Sequence, residues 1–301
     1  MTLKFFRWMG GKIRAVPKII PLLPEKFDCY YEPFVGSAAV LLNKQRSDLE
    51  VINDKDINLS LLHKTMADRE KGKRLVDILL KQQCSRNEFL QASQQLRYNA
   101  RNLDDVERSR CTFVTISQSF NANRVSPKPS YDVRGYMNDL NCQLPQVYER
   151  YADVRVLQGC GIELMEKIKN NANAFAFLDP PYVMRYRGNK NIYFCEMPDY
   201  LQMKMLETIK FAKCKIMLCG YIEPNHEMDL YSRVLLPCGW QRYKLMELVK
   251  ACQTSATKDK GEEYIWVNYQ LPDCARYVIP LSTKLSFDCN RQMVVADRDP
   301  T

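Results

Sequence analysis

The stretch Phe175-Ala176-Phe177-Leu178-Asp179-Pro180-Pro181-Tyr182 decides how this chain is read. Four apolar residues in a row predict a short strand buried on both faces. Two consecutive prolines, which lack N–H groups, end it abruptly. Asp179 and Tyr182 are thereby delivered at the carboxyl end of the strand, the edge where open α/β sheets hold their ligands.

An acid, prolyl carbonyls and an aromatic ring at such an edge suit methyl transfer to an exocyclic amine. That nitrogen is a poor nucleophile because its lone pair is delocalised into the ring. The Asp179 carboxylate and the Pro180 carbonyl can accept its hydrogens and draw it towards tetrahedral geometry, so electrostatic positioning replaces a covalent nucleophile. Tyr182 offers a ring on which an extruded base can stack. An ordinary proline turn with Tyr182 as packing is the competing reading, and it weakens as further motifs are found upstream.

In Tyr30-Tyr31-Glu32-Pro33-Phe34-Val35-Gly36-Ser37-Ala38-Ala39-Val40 an aromatic strand leads through a tight turn at Gly36 into a helix starting near Ser37. A turn without a side chain lets backbone approach a ligand closely. Eighteen positions beyond Gly36, the apolar pair Val51-Ile52 ends in Asn53-Asp54, where an acid can hydrogen-bond both hydroxyls of a ribose. Nearer the amino terminus, Trp8-Met9-Gly10-Gly11-Lys12 supplies an aromatic ring, a glycine hinge and a cation. Lys12 can pair with a carboxylate while Trp8 packs on an apolar or sulfonium-bearing ligand.

With these motifs in this order, the chain resembles the Dam-like class of DNA adenine-N6 methyltransferases over roughly residues 4 to 270. The resemblance implies an α/β fold, a Rossmann-like doubly wound methyltransferase sheet with an inserted, mainly helical target-recognition subdomain. It implies S-adenosylmethionine as cofactor, with Trp8 and Lys12 at its methionine end, Glu32, Pro33, Phe34, Gly36 and Ser37 lining the pocket, Asp54 on the ribose and Asp179 facing the target amine. Asp179, Pro180 and Tyr182 would form the catalytic group. Two places depart from the family pattern: Cys160-Gly161 stands where an acidic-aromatic pair often holds the cofactor's adenine, and Ala122 stands where a glycine is usual. No target sequence is carried over.

Composition agrees with this reading. The 301 residues are 46% hydrophobic and 26% charged, ordinary for a globular chain with a sizeable core. Twelve cysteines form no Cys-x-x-Cys pair, and there are two histidines, so neither a zinc site nor a disulfide scaffold is expected, and no metal. With reduced cysteines, no secretory segment and no apolar run of about eighteen residues, a cytoplasmic protein without a membrane span is expected.

The net charge of +9 points to an acidic partner, read here as double-stranded DNA. Residues 60–150 carry fifteen Lys and Arg against ten Asp and Glu. They are expected to form the DNA-binding subdomain, with residues 1–59 and 151–270 as a discontinuous catalytic domain and 271–301 as an extension of unknown role. Within 60–150 the pattern is helical to about Arg101, then β-like from Cys111 to Ile116, then a polar loop. Asn121, Asn123, Arg124 and Lys128 in that loop are candidates for base-edge and phosphate contacts, and Arg185 and Arg187 for gripping the strand whose base is flipped. Cytosine-N4 or RNA adenine as acceptor, and a non-catalytic DNA-binding or regulatory protein of the same fold, remain open, as does any restriction endonuclease partner.

Overall fold

The computed structural model describes residues 2–128, 130–186, 195–222, 229–249, 260–279, 285–288 and 291–295. Among them are nine strands: β1 (Cys29–Glu32), β2 (Leu49–Asp54), β3 (Arg155–Gln158), β4 (Ala174–Leu178), β5 (Lys215–Tyr221), β6 (Gln241–Val249), β7 (Lys260–Val267), β8 (Leu285–Asp288) and β9 (Arg291–Val295). The chain divides into two compact units, one of residues 1–16 and 35–159, the other of residues 17–34 and 160–301. The fold is mixed α/β and Rossmann-like.

In the first unit β2 and β3 pair in parallel, from Val51 opposite Arg155 to Asp54 opposite Gln158. Most of the remainder is helical: Ala39–Asn43, Ile57–Ala67, Arg69–Leu79, Arg86–Gln94, Asp105–Ser117, Ser130–Asn141 and Leu144–Arg150. Four of these helices start on side-chain caps. Asp56 accepts from the amides of Asn58 and Leu59, Asp68 from Glu70 and Lys71, Ser85 from Glu88, and Asp104 from Glu107. Leu59, Leu62, Leu75, Leu79, Phe89 and Phe113 are buried among them.

Residues 111–116, expected to be β-like, lie instead inside the helix Asp105–Ser117. Their branched side chains favour a strand only weakly, and burial decides against it. Every residue from Cys111 to Ser117 is buried. The Thr112 and Thr115 hydroxyls donate back to the carbonyls of Arg108 and Cys111, at 2.8 and 3.0 Å, so their polarity is met inside the helix.

In the second unit the strands run in the order β1-β4-β5-β7-β6-β8-β9. β1, β4 and β5 are parallel, with Tyr31 opposite Ala176 and Leu178 opposite Leu218. From β7 outward the pairing is antiparallel. The sequence suggested an antiparallel strand at the edge; four strands, β7, β6, β8 and β9, extend the sheet there, each antiparallel to the one before it. All five residues of β4 are buried, which is why it reads as an uninterrupted apolar run. The helices Gly161–Ile168, Asp199–Ile209 and Leu230–Leu235 complete this unit.

A buried ionic network sits behind β7. Asp229, fully buried, caps the helix Leu230–Leu235 and accepts from Arg242 Nη1 at 2.9 Å and from Ser232 Oγ at 2.6 Å. The Trp266 indole N–H donates to the same Ser232 oxygen at 3.0 Å. Replacing Asp229 by Ala strands the Arg242 cation in the interior, so Asp229→Ala is expected to cost about 3–5 kcal/mol in urea unfolding. A loss below about 1 kcal/mol would show that water reaches Arg242.

Candidate active site

The first unit assembles its candidate residues around a left-handed turn. Gly36 has φ +49°, and a Cβ there would lie 2.8 Å from the Trp8 indole, so only glycine fits both the conformation and the approach. Its amide donates to Asp54 Oδ2 at 3.3 Å, while Asp54 Oδ1 accepts from the Asp56 amide at 2.9 Å. Ala38, also left-handed, then opens the short helix Ala39–Asn43. Ser37 is buried, with its Oγ 3.3 Å from where a Cβ on Gly11 would stand. Lys12 is buried and its Nζ donates to the Gly10 carbonyl at 2.9 Å. Trp8 lies edge-on to Phe6 and beneath the Arg124 guanidinium, 4.9 Å from the ring centre. Trp8, Gly36, Asp54 and Arg124 are thus brought together.

His63 was not singled out by the sequence, yet it holds this turn from behind. Its Nε2 is 2.8 Å from the Gly36 carbonyl and its Nδ1 is 2.6 Å from the Tyr151 hydroxyl. A carbonyl can only accept, so Nε2 carries the hydrogen and Nδ1 takes one from Tyr151. Burial pushes the His63 pKa down to about 4, which keeps the ring neutral. Burial likewise pushes the Asp54 carboxyl up to about 6; hydrogen bonds from the Asp56 and Gly36 amides oppose the shift, and the neighbouring Asp56 charge adds to it.

In the second unit Glu32 is buried at the end of β1 and accepts from the Tyr30 hydroxyl at 2.9 Å. Pro33 and Phe34 pack directly on Gly161. A Cβ there would stand 2.8 Å from the Phe34 ring and from the Pro33 carbonyl, which is a steric reason for glycine at 161. Asp179 leaves the end of β4 half-buried, and Pro180 is buried. Tyr182 is 3% exposed: its ring stands edge-on to Tyr221 at 4.6 Å and its hydroxyl donates to Glu263. Burial, with the charges of Asp179 and Glu263, raises the Tyr182 pKa well above its ordinary value, so the hydroxyl stays protonated and donating. Glu263 and Tyr221 face each other across β7 and β5. Glu263 stands beside Glu262 in the polar first half of β7, and no local pattern marks it as the partner of Tyr182.

The polar loop of the first unit is closed by an antiparallel bridge between Ser119 and Pro127. Asn121, Ala122 and Arg124 all have positive φ, from 51° to 59°, a concentration of backbone strain outside glycine. Asn121 is exposed. Asn123 Oδ1 accepts from the amides of Val125 and Ser126, at 2.9 and 3.0 Å, and so shapes the turn. Arg124 Nη1 donates to Asp56 Oδ2 at 2.6 Å, and Lys128 is half-buried with its Nζ 6.0 Å from the Phe120 ring centre. In the second unit Arg185 is exposed and pairs with Asp199. Arg187 lies outside the described residues. Among the described residues no cluster of His, Cys, Asp and Glu could hold a metal, and no helix is long and apolar enough to cross a membrane.

The two shifted groups behind the Gly36 turn give opposite pH dependences. His63 falls from an ordinary 6.5 to about 4, so its contribution to stability is complete above pH 6.5 and is lost as pH falls towards 4. Asp54 rises from 3.8 to about 6, so its contribution holds below pH 3.8 and is lost as pH rises through 6. His63→Gln removes the first dependence and leaves the second. The stability of wild type over this variant is therefore expected to shrink by roughly 3 kcal/mol between pH 7 and pH 4 in urea titrations. An unchanged difference would show that His63 is not held neutral.

A family model described as D12 class N6 adenine-specific DNA methyltransferase matches residues 8–232. A type II methyltransferase, M1.LlaDCHI, from Lactococcus lactis subsp. cremoris is 27% identical over 192 residues, covering 60% of this chain and 65% of that protein. A DNA adenine methylase from Haemophilus influenzae is 42% identical over 66 residues, covering 21% of this chain and 23% of that protein. The chain therefore spans just under two thirds of the first relative and under a quarter of the second. The family match takes in Trp8, Gly36, Asp54 and Asp179-Pro180-Pro181-Tyr182 and runs through well over half of the sequence. The chain belongs to the D12 class N6 adenine-specific DNA methyltransferase family.

Proposed function

We propose that this protein transfers the methyl group of S-adenosylmethionine to the exocyclic N6 amine of an adenine turned out of double-stranded DNA. The observation that carries the reading is the end of β4, where a half-buried carboxylate is followed by two residues with no N–H. Such a loop offers acceptors alone, which is what an amine with two hydrogens requires. Asp179 and the Pro180 carbonyl accept those hydrogens and orient the nitrogen lone pair. As the new N–C bond forms, the methyl–sulfur bond would break and its electron pair return to sulfur, which leaves as a neutral thioether; the amine becomes positively charged and gives up one proton, first to the Asp179 carboxylate and then to solvent. Tyr182, with its hydroxyl tied to Glu263 and its ring 3% exposed, is the aromatic residue assigned to the displaced base, which must uncover the ring to stack on it.

The residues present fit the cofactor. The left-handed Gly36 turn brings backbone against the Trp8 indole, and Asp54 at the end of β2 can accept from ribose hydroxyls. Trp8 and Lys12 suit the methionine end, and Glu32, Pro33, Phe34 and Ser37 complete the proposed set. S-adenosylmethionine supplies an electrophilic methyl carried on a positively charged sulfur. Residues 60–150 would serve target recognition, with Asn121, Asn123, Arg124 and Lys128 meeting DNA from the closed loop and Arg185 and Arg187 gripping the flipped strand. Arg124 enters that role with its guanidinium already against Asp56.

Methyl transfer from labelled S-adenosylmethionine into unmethylated DNA, digested to nucleosides, tests the reading. Label is expected in adenine-N6. Asp179→Ala is expected to lower turnover at least about 100-fold while leaving the fold intact. Label in cytosine, or an Asp179→Ala protein as active as wild type, would overturn it. Tyr182→Ala is expected to weaken use of the flipped base, seen as a smaller fluorescence rise from 2-aminopurine at the target position; an undiminished rise would remove Tyr182 from that role.

A further inference from the structure

Gln202, on the helix Asp199–Ile209, has no solvent exposure, yet it is a polar side chain with three hydrogen bonds. Its Nε2 donates to the Pro181 carbonyl at 2.7 Å and to the Met197 carbonyl at 3.4 Å. Its Oε1 accepts from the Tyr231 hydroxyl at 2.7 Å. The orientation of this amide is fixed by chemistry: both carbonyls can only accept, so the nitrogen must face them and the oxygen must face Tyr231. An amide turned the other way would set oxygen against oxygen at Pro181.

Tyr231 is itself immobilised. It is 1% exposed, its ring stands edge-on to Trp266 at 5.2 Å, and a Cβ on Gly220 of β5 would lie 2.7 Å from its ring. A continuous set of contacts therefore runs from the sheet through Tyr231 and Gln202 to the backbone of the Asp179–Tyr182 loop. The loop gains little rigidity from its own hydrogen bonding, because prolines at 180 and 181 donate none.

We propose that Gln202 is a positioning residue for methyl transfer. By holding the Pro181 carbonyl, with Tyr231 enforcing the direction of its amide, it assigns the Asp179 carboxylate and the Pro180 carbonyl to the target amine. The inference rests on the function proposed above. Proximity catalysis explains why the hold matters: a misplacement of about 1 Å in reacting groups costs on the order of 100-fold in rate. The Tyr182–Glu263 bond fixes the end of the same loop, so Gln202 acts on its middle and leaves the ring of Tyr182 where it is.

The test measures kcat, the KM for DNA and for S-adenosylmethionine, and the melting temperature of wild type, Gln202→Leu, Tyr231→Phe and the double variant. Gln202→Leu keeps the side-chain size and removes all three bonds; its kcat is expected to fall about 10–100-fold, with cofactor KM within about twofold of wild type. Tyr231→Phe keeps the ring and removes the hydroxyl; a fall of about 3–10-fold is expected, and none beyond that of Gln202→Leu in the double variant. A merely structural role would lower the melting temperature in both while kcat per cofactor-binding site stayed unchanged. A folded Gln202→Leu protein with kcat within about twofold of wild type would overturn the proposal. Should Gln202→Leu not fold, an unchanged kcat in Tyr231→Phe overturns it equally. A wild-type protein that binds cofactor but methylates no adenine fails the functional reading, whereas an active wild type with an equally active Gln202→Leu fails this inference alone.

Discussion

The burial of β4 between two parallel neighbours is the constraint on which the second unit depends. With all five side chains inside and hydrogen-bonded strands on both sides, a slip of one residue would exchange the small Ala174 and Ala176 with the large Phe175 and Phe177 between the two packed faces. The register is therefore fixed, and with it the point at which the chain leaves the sheet. Pro180 and Pro181 cannot extend the ladder, so Asp179 is set at a place determined by packing several residues earlier. Gln202 and Glu263 then hold the loop from two different elements, the first through backbone and the second through the Tyr182 hydroxyl.

In the first unit the corresponding constraint is the missing side chain at Gly36. The indole of Trp8 occupies the space a Cβ would need, and the His63 imidazole fixes the glycine's carbonyl on the other side. Neutrality of His63 follows from its burial, and it has a consequence for the ligand proposed to bind there. A buried imidazolium would repel a sulfonium, whereas a neutral ring donating one hydrogen bond orders the turn without adding positive charge. The carboxylates of Asp54 and Asp56 leave the charge of this region to be set by acids and by the Arg124 guanidinium.

Arg124 shows how one residue can be drawn into two accounts. The sequence places it in a polar loop of a basic segment, and a charge there points outward to phosphate. The structure gives its guanidinium to Asp56 and to the face of Trp8, with 14% of the side chain exposed. Three departures into left-handed backbone within four residues, at Asn121, Ala122 and Arg124, shape the loop from which Arg124 reaches the helix cap at Asp56. Strain of this kind persists where surrounding contacts over-determine it.

The strands β1, β2, β4 and β5, the Gly36 turn and the Asp179–Tyr182 loop were legible because each is written in adjacent residues. An apolar run, a glycine or a pair of prolines limits its own backbone whatever lies around it. The helix at Cys111–Ile116 was not legible: branched residues prefer a strand by less than the burial of seven consecutive side chains contributes, and burial is settled by distant elements. The partners of the site escaped for a related reason. His63 meets Tyr151 across 88 positions, Tyr182 meets Glu263 across 81, and Gln202 meets Tyr231 across 29. A hydrogen bond between buried groups depends on which side chains the folded chain brings within about 3 Å, and no local pattern encodes that. The sequence by itself determined where backbone turns and where acids emerge from strands; tertiary structure alone decided which buried groups hold them there.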